Sequence, residues 1–247
     1  MNQPIKDPNA PFGDAYGPYV TDVFAPVFEE QVLSDLPVTG SLPSDLNGVY
    51  LRNGPNPRFE PKGDYHPFDG DGMIHSAHFD NGRLVIRNKW VRTDAWMKED
   101  ASASAEYWGI RQTLKGRDDK PVKDSANTDV IGHSGMAICT WYLAGVPYAL
   151  DPITLETLGP QHNYLDDPSS GMSSHCKVDE VTGELMYFDY GDHWPFMWYG
   201  VVNKDGQLVH RVPIELPGNR LPHDMAITEH YSILHDHPVF HDEQART

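Results

Sequence analysis

Two cysteines in 247 residues, Cys139 and Cys176, with no C-x-x-C pair, exclude a disulfide-stapled fold and a cysteine-based zinc site; they read as reduced, buried thiols of a cytoplasmic protein. No run approaches the ~20 apolar residues of a membrane-spanning helix, and the opening residues 1–10 lack the basic segment and apolar core of a secretory leader. Positive charge is scarce: 19 Lys and Arg stand against 36 Asp and Glu, for a formal net charge of −17. A phosphate backbone would be repelled, which excludes nucleic acid as a partner. G-x-S-x-G, Walker and Rossmann glycine patterns are missing, so acyl transfer through a serine and nucleotide chemistry have no foothold. No Gly/Ser linker or composition break divides the chain, and helix signals are few.

What is there is a chain with 39% hydrophobic and 11% aromatic residues, enough to bury a large core. Residues 1–23 begin rich in Pro, Gly, Asn and Asp and are expected to form an irregular arm, with residues 24–247 as the folded part. From Phe24 onward the punctuation is that of antiparallel strands. Asp80-Asn81-Gly82 separates two alternating runs, the strongest short hairpin signal available, and Lys204-Asp205-Gly206 repeats it. Longer turns at 151–154 and 179–183 join further strand-like runs, as in the four-stranded meanders of a propeller or a sandwich. One short helix is expected within Asp94–Arg111. The adjacent acids Glu29-Glu30, Asp118-Asp119 and Asp166-Asp167 read as solvated faces.

Several histidines invite a metal reading. His175 and His223 each open a strand-like run, where a neutral imidazole is held rigid while its ring points out of the sheet. Taken alone, either one is more often a hydrogen-bonded structural residue than a ligand. His75 and His78, three apart in a strand, fall on opposite faces and cannot share an ion without a bulge. His235 and His237 share a face if extended, but Pro238 and the nearby His241 suit a surface loop. Asp69-x-Asp71-Gly72 resembles the start of a calcium loop, yet lacks the downstream glutamate and reads as a tight Asp/Gly turn before a strand.

In order along the chain, Asp35–Gly40, Gly48–Pro57, Phe68–His75, Asn127–Val130, Pro147–Thr157, Ser174–Asp179 and His223–Glu229 resemble the blocks of the carotenoid cleavage oxygenase family. The resemblance implies an all-β fold, a seven-bladed β-propeller with Fe(II) on its axis held by four histidines, of which His175 and His223 stand at the first two positions. It also implies O₂-dependent cleavage of a conjugated C=C bond of a carotenoid, apocarotenoid or stilbene into two carbonyl products. Its partners would be an apolar substrate and O₂, with contact at the membrane surface for substrate uptake and no protein partner. Four neutral imidazoles leave an iron its full charge and open positions, and the groups that hold each ring's other nitrogen then matter. In the family glutamates take that role; this sequence shows Tyr142 where one is expected. Trp194, Phe196 and Trp198 could line an apolar tunnel, or simply pack a core.

The family's chains are about twice this long, and the remaining two histidine ligands would lie past Thr247. The expectation is therefore an incomplete, N-terminal portion of the propeller. Two alternatives stay open: an isomerase or hydrolase branch on the same scaffold, and a non-catalytic propeller fragment.

Overall fold

The computed structural model describes residues 10–113 and 122–237. It divides into two compact units, the first reaching Asn127 and taking in 153–156, the second comprising 128–152 and the chain from Thr157. Asp118-Asp119 lie outside the described residues.

In the first unit, short 3₁₀ turns at Asp14–Tyr16, Pro18–Val20 and Asp22–Phe24 make the irregular arm. The strands β1 (Gln31–Leu33), β2 (Gly48–Pro55), β3 (Gly72–Asp80) and β4 (Arg83–Trp90) form one antiparallel sheet in the order β1-β4-β3-β2. The β3–β4 turn is the expected Asn-Gly hairpin, with Asn81 at φ 50° and Gly82 at φ 76°. Both central residues are left-handed, as the right-handed strand twist demands. Met73 and Trp90 face each other in register and pack with Trp96. Trp96 comes from α1 (Asp94–Ser102), capped by Thr93, whose Oγ1 accepts the Trp96 N–H at 3.1 Å.

The short helix expected within 94–111 is α1, and a second one follows it. Ala103 turns left-handed at φ 53° and closes α1, and a second helix, α2 (Ile110–Thr113), starts later. Buried Glu99 explains the break, because its Oε1 accepts the N–H groups of Glu106 and Tyr107 at 2.8 and 3.3 Å and fixes the chain after the helix. Of the adjacent acids, Glu30 is not simply solvated: Arg92 donates two hydrogen bonds to it, at 2.8 and 3.0 Å. The Asp69/Asp71 turn is built as a turn. Asp69 accepts from His66 N and Ile110 N, both at 2.9 Å. Asp71 pairs with Lys123 at 2.5 Å, and Lys123 also meets Glu99. Burial alone would discharge Lys123, but the two carboxylates outweigh it and hold the amine protonated.

The second unit holds two four-stranded antiparallel sheets. One orders β5 (Asp129–His133), β6 (Met136–Thr140), β7 (Tyr148–Leu150) and β8 (Thr157–Pro160) in chain sequence. The other runs β12-β11-β10-β9, from β9 (Lys177–Val178), β10 (Leu185–Tyr190), β11 (Phe196–Val202) and β12 (Leu208–Glu215). A small hairpin, β13 (Ala226–Ile227) with β14 (Ser232–Ile233), follows. Ile138, Ala149, Tyr164, Met172, Cys176, Leu185, Tyr187 and Val202 form the core, while Phe188, Met197 and Met225 form another cluster. Both thiols are buried and unpaired. Gly200 is needed because a Cβ there would stand 2.3 Å from the Tyr187 ring. Asp166 of the third acidic pair accepts from Ser170 and ion-pairs with Arg211 at 2.9 Å, so it too serves a structural contact.

A polar link crosses this core. Neutral His133 donates from Nε2 to the Gly183 carbonyl at 3.0 Å and accepts the Tyr164 hydroxyl at Nδ1, 2.6 Å away. Burial holds its pKa below the ordinary value, against the pull of the Gly183 and Asn203 carbonyls.

Three outcomes are expected. Lys123→Met strands two buried carboxylates and should cost about 3–5 kcal/mol in urea unfolding. Gly82→Ala, with no clash but a left-handed backbone, should cost roughly 1 kcal/mol. Because the folded pKa of His133 is depressed, its contribution is present above the unfolded value near 6.5 and is lost as pH falls below it. His133→Gln should therefore flatten the loss of stability between pH 6.5 and 5, read as melting temperature against pH.

Candidate metal centre

His175 sits two residues ahead of β9, and His223 three residues ahead of β13. The segments arrive differently. Ser173 is tied by its N–H to the Phe188 carbonyl at 2.9 Å and Cys176 is in the core, so the two residues between them, Ser174 and His175, have little freedom. His175 takes a left-handed backbone, φ 62°, a conformation that costs an L-residue roughly 1–2 kcal/mol and recurs at functional sites. His223 lies on an exposed stretch between two buried anchors, Pro222 and Met225.

The two rings stand 5.0 Å apart, centroid to centroid, at 68°. Imidazoles occupying adjacent positions on one ion, with metal–N bonds of about 2.1 Å, have centroids roughly 5 Å apart, so this separation suits a shared metal. Asp129, the first residue of β5, accepts a hydrogen bond from His175 Nδ1 at 2.9 Å. A carboxylate can only accept from the ring, so Nδ1 carries the proton and Nε2 is the nitrogen left for a metal. Lys177 completes the frame: its Nζ donates to the His175 carbonyl at 2.8 Å and to Asp224 at 2.7 Å. Burial would raise the Asp224 pKa, but the Lys177 hydrogen bond and the Met225 N–H hold it below the usual carboxylate range.

His235 and His237 stack at 4.1 Å, on residues outside any strand. His235 Nε2 accepts the backbone N–H groups of His223 and Asp224, each at 3.4 Å. It therefore supports the loop that carries His223. His241 lies outside the described residues. Among the described residues no three His, Cys, Asp or Glu gather in a metal-binding group.

Tyr142 follows β6 and enters the surroundings through its backbone: its N–H donates to Thr128 Oγ1 at 3.1 Å, and its carbonyl accepts from Ser173 Oγ at 3.4 Å and from the Tyr190 hydroxyl. Trp194 is exposed on the turn before β11, and Phe196, at φ 72°, opens that strand half-buried. Trp198 lies 4.1 Å beneath the Arg211 guanidinium, which is itself paired with Asp189 at 2.8 Å.

The family described as retinal pigment epithelial membrane protein matches residues 24–247. The chain belongs to this family, the carotenoid cleavage oxygenases. Among its relatives, the carotenoid 9,10(9′,10′)-cleavage dioxygenase of Crocus sativus is 35% identical over 90% of this chain and 44% of its own length. The isoeugenol monooxygenase of Pseudomonas nitroreducens is 34% identical over 87% of this chain and 46% of its own. The lignostilbene dioxygenase of Pseudomonas brassicacearum superposes with a TM-score of 0.79 at 30% identity, over 88% of this chain and 46% of that one. The chain thus spans about half the length of the relatives it matches, and its all-β meanders are part of the family's seven-bladed propeller.

The sequence singles out both histidines, whose rings the structure brings together, but not Asp129, Lys177 or Asp224, whose contacts depend on pairings between segments 46 and 47 residues apart. If Asp129 orients His175, Asp129→Ala should weaken Co(II) binding, followed by its visible absorption, by roughly 10–100-fold, and Asp129→Asn by less, since an amide oxygen can still accept the ring N–H.

Proposed function

We propose that this chain supplies part of a non-haem Fe(II) oxygenase that cleaves a conjugated C=C bond of a carotenoid, apocarotenoid or stilbene-like substrate with O₂ to give two carbonyl products. The observation that carries this reading is the convergence of His175 and His223, with Nδ1 of His175 already committed to Asp129. The donor set suits iron: imidazole is a ligand of choice for Fe(II), and the pair adds no charge that would quench the ion. When bound, Fe(II) would supply the activation of O₂.

The chain's own residues have distinct tasks in this scheme. His175 and His223 hold the ion, and through it act in catalysis. Asp129 fixes the tautomer and orientation of His175, and Lys177 and Asp224 hold the two ligand-bearing segments together. Tyr142 stands at the place of the family's orienting glutamate and would serve as a hydrogen-bond acceptor without a formal charge. Trp194, Phe196 and Trp198 are the candidates to meet an apolar substrate; of these Trp194, 66% exposed, is the most accessible and Trp198 the most committed to packing. Relatives are named for carotenoid, isoeugenol and resveratrol cleavage, which supports an alkene flanked by conjugation as the substrate class.

The test uses the 247-residue chain, purified anaerobically and titrated with Fe(II). Because two imidazoles converge among the described residues, retention should be weak yet measurable, and His175→Ala and His223→Ala should each lower it at least ten-fold, while His78→Ala leaves it unchanged. Aldehyde formation from a stilbene or carotenoid is expected when the chain is fused to the second half of a relative. Fe(II) retention indifferent to both ligand substitutions would sink the assignment.

A further inference from the structure

The first unit holds a cavity of about 370 Å³, a size within the range of small-molecule sites, walled by Tyr19, Phe24, Val27, Arg52, Tyr65 and His75. Arg52 and His75 are direct partners across β2 and β3, so their side chains emerge on one face of the sheet. The guanidinium lies back over Gly54, two residues on, where a Cβ would stand 3.7 Å from Nη2. The arm over the cavity is pinned in both directions by one side chain: Val27 N donates to Asn56 Oδ1 and Asn56 Nδ2 donates to the Val27 carbonyl, both at 2.8 Å. Tyr19 and Phe24, edge to face at 5.9 Å, bring aromatic surface to the wall.

Three polar side chains of this cavity are unsatisfied. Among the described residues, Arg52, His75 and the Tyr65 hydroxyl have no hydrogen-bond or ion-pair partner, although Tyr65 is only 6% exposed. In a chain with 36 acidic residues, Arg58, Arg83, Arg92, Arg211 and Arg220 each find a carboxylate. Arg52 does not. A buried hydroxyl and a half-buried imidazole left open around a cavity, with an exposed guanidinium at its edge, call for a ligand that completes them. Burial, and then the Arg52 charge, keep His75 below its usual pKa and so neutral, able to donate one hydrogen bond. Burial beside Asp69 and Asp71 keeps the Tyr65 hydroxyl protonated, a donor as well.

We propose that this cavity binds a small aryl carboxylate, its carboxylate clamped by the Arg52 fork and met by His75 and Tyr65, its ring packed against Tyr19 and Phe24. A guanidinium matches a carboxylate through two parallel hydrogen bonds, and aromatic walls favour a flat ring over an aliphatic tail. The site belongs to the first unit and makes no use of His175 or His223.

Benzoate is the probe, titrated calorimetrically into the 247-residue chain with chelator present, so that the metal reading plays no part. One saturable site is expected. Arg52→Gln should weaken it at least ten-fold, and Gly54→Val, which fills the space under the guanidinium without meeting backbone, should do the same. Arg83→Gln, which removes an exposed guanidinium paired with Asp80, should leave it unchanged. Arg52 is solvent-exposed, so its variant should keep the melting temperature of the parent chain and report binding alone. Absence of saturable benzoate binding, binding unaltered in Arg52→Gln, or displacement of benzoate by equimolar inorganic phosphate would each overturn the proposal.

Discussion

The candidate centre depends on a backbone held where it would not settle by itself. His175 lies at φ 62° between a residue laddered to Phe188 and a cysteine sunk in the core. A left-handed L-residue persists only if its surroundings over-determine it, and here they do: the Ser173 N–H two residues before, the Cys176 side chain after, the carbonyl on Lys177 and the ring on Asp129 are all engaged. The strain has a geometric result. It aims the ring at His223 while leaving the adjoining residues in their sheet and core positions.

The two histidines are not equally constrained. Asp129 fixes one ring of the pair directly, whereas His223 is placed through its main chain, between buried Pro222 and Met225 and against the ring of His235. Lys177 links the two sides, but its ends are part-exposed, and an ion pair in that setting is worth about 1 kcal/mol or less. Its value is therefore positional. The buried cluster of Lys123 with Asp71 and Glu99 is the opposite case, where losing one partner strands charge in the interior.

The legible parts of the sequence were those fixed by local chemistry. Asn81-Gly82 and Asp205-Gly206 announce hairpins because few residues tolerate positive φ, and both turns are there, with Gly206 at 78°. The histidines were visible through the blocks that carry them, but no local pattern distinguishes His175 from His133, which spends both ring nitrogens on Tyr164 and Gly183. Glu30 and Asp166 were read as solvated because an adjacent acid pair looks the same in sequence whether or not an arginine from 45 or 62 residues away reaches it. Where α1 ends within 94–111 is not legible for a related reason: Glu99 captures N–H groups seven and eight residues on, a tertiary choice that propensity does not encode.

The same logic separates the unpaired polar groups that matter from those that do not. Acids outnumber bases almost two to one, and arginines such as Arg83 and Arg220 each pair with one. Arg52 meets none, and it stands opposite a neutral histidine on the neighbouring strand and lines the same cavity as a buried tyrosine hydroxyl. Long-range repulsion from a net charge of −17 would discourage a free anion from approaching. Affinity for one at this place must then come from short-range contacts, the fork of Arg52 and the aromatic wall, and these select by shape and planarity as well as by charge.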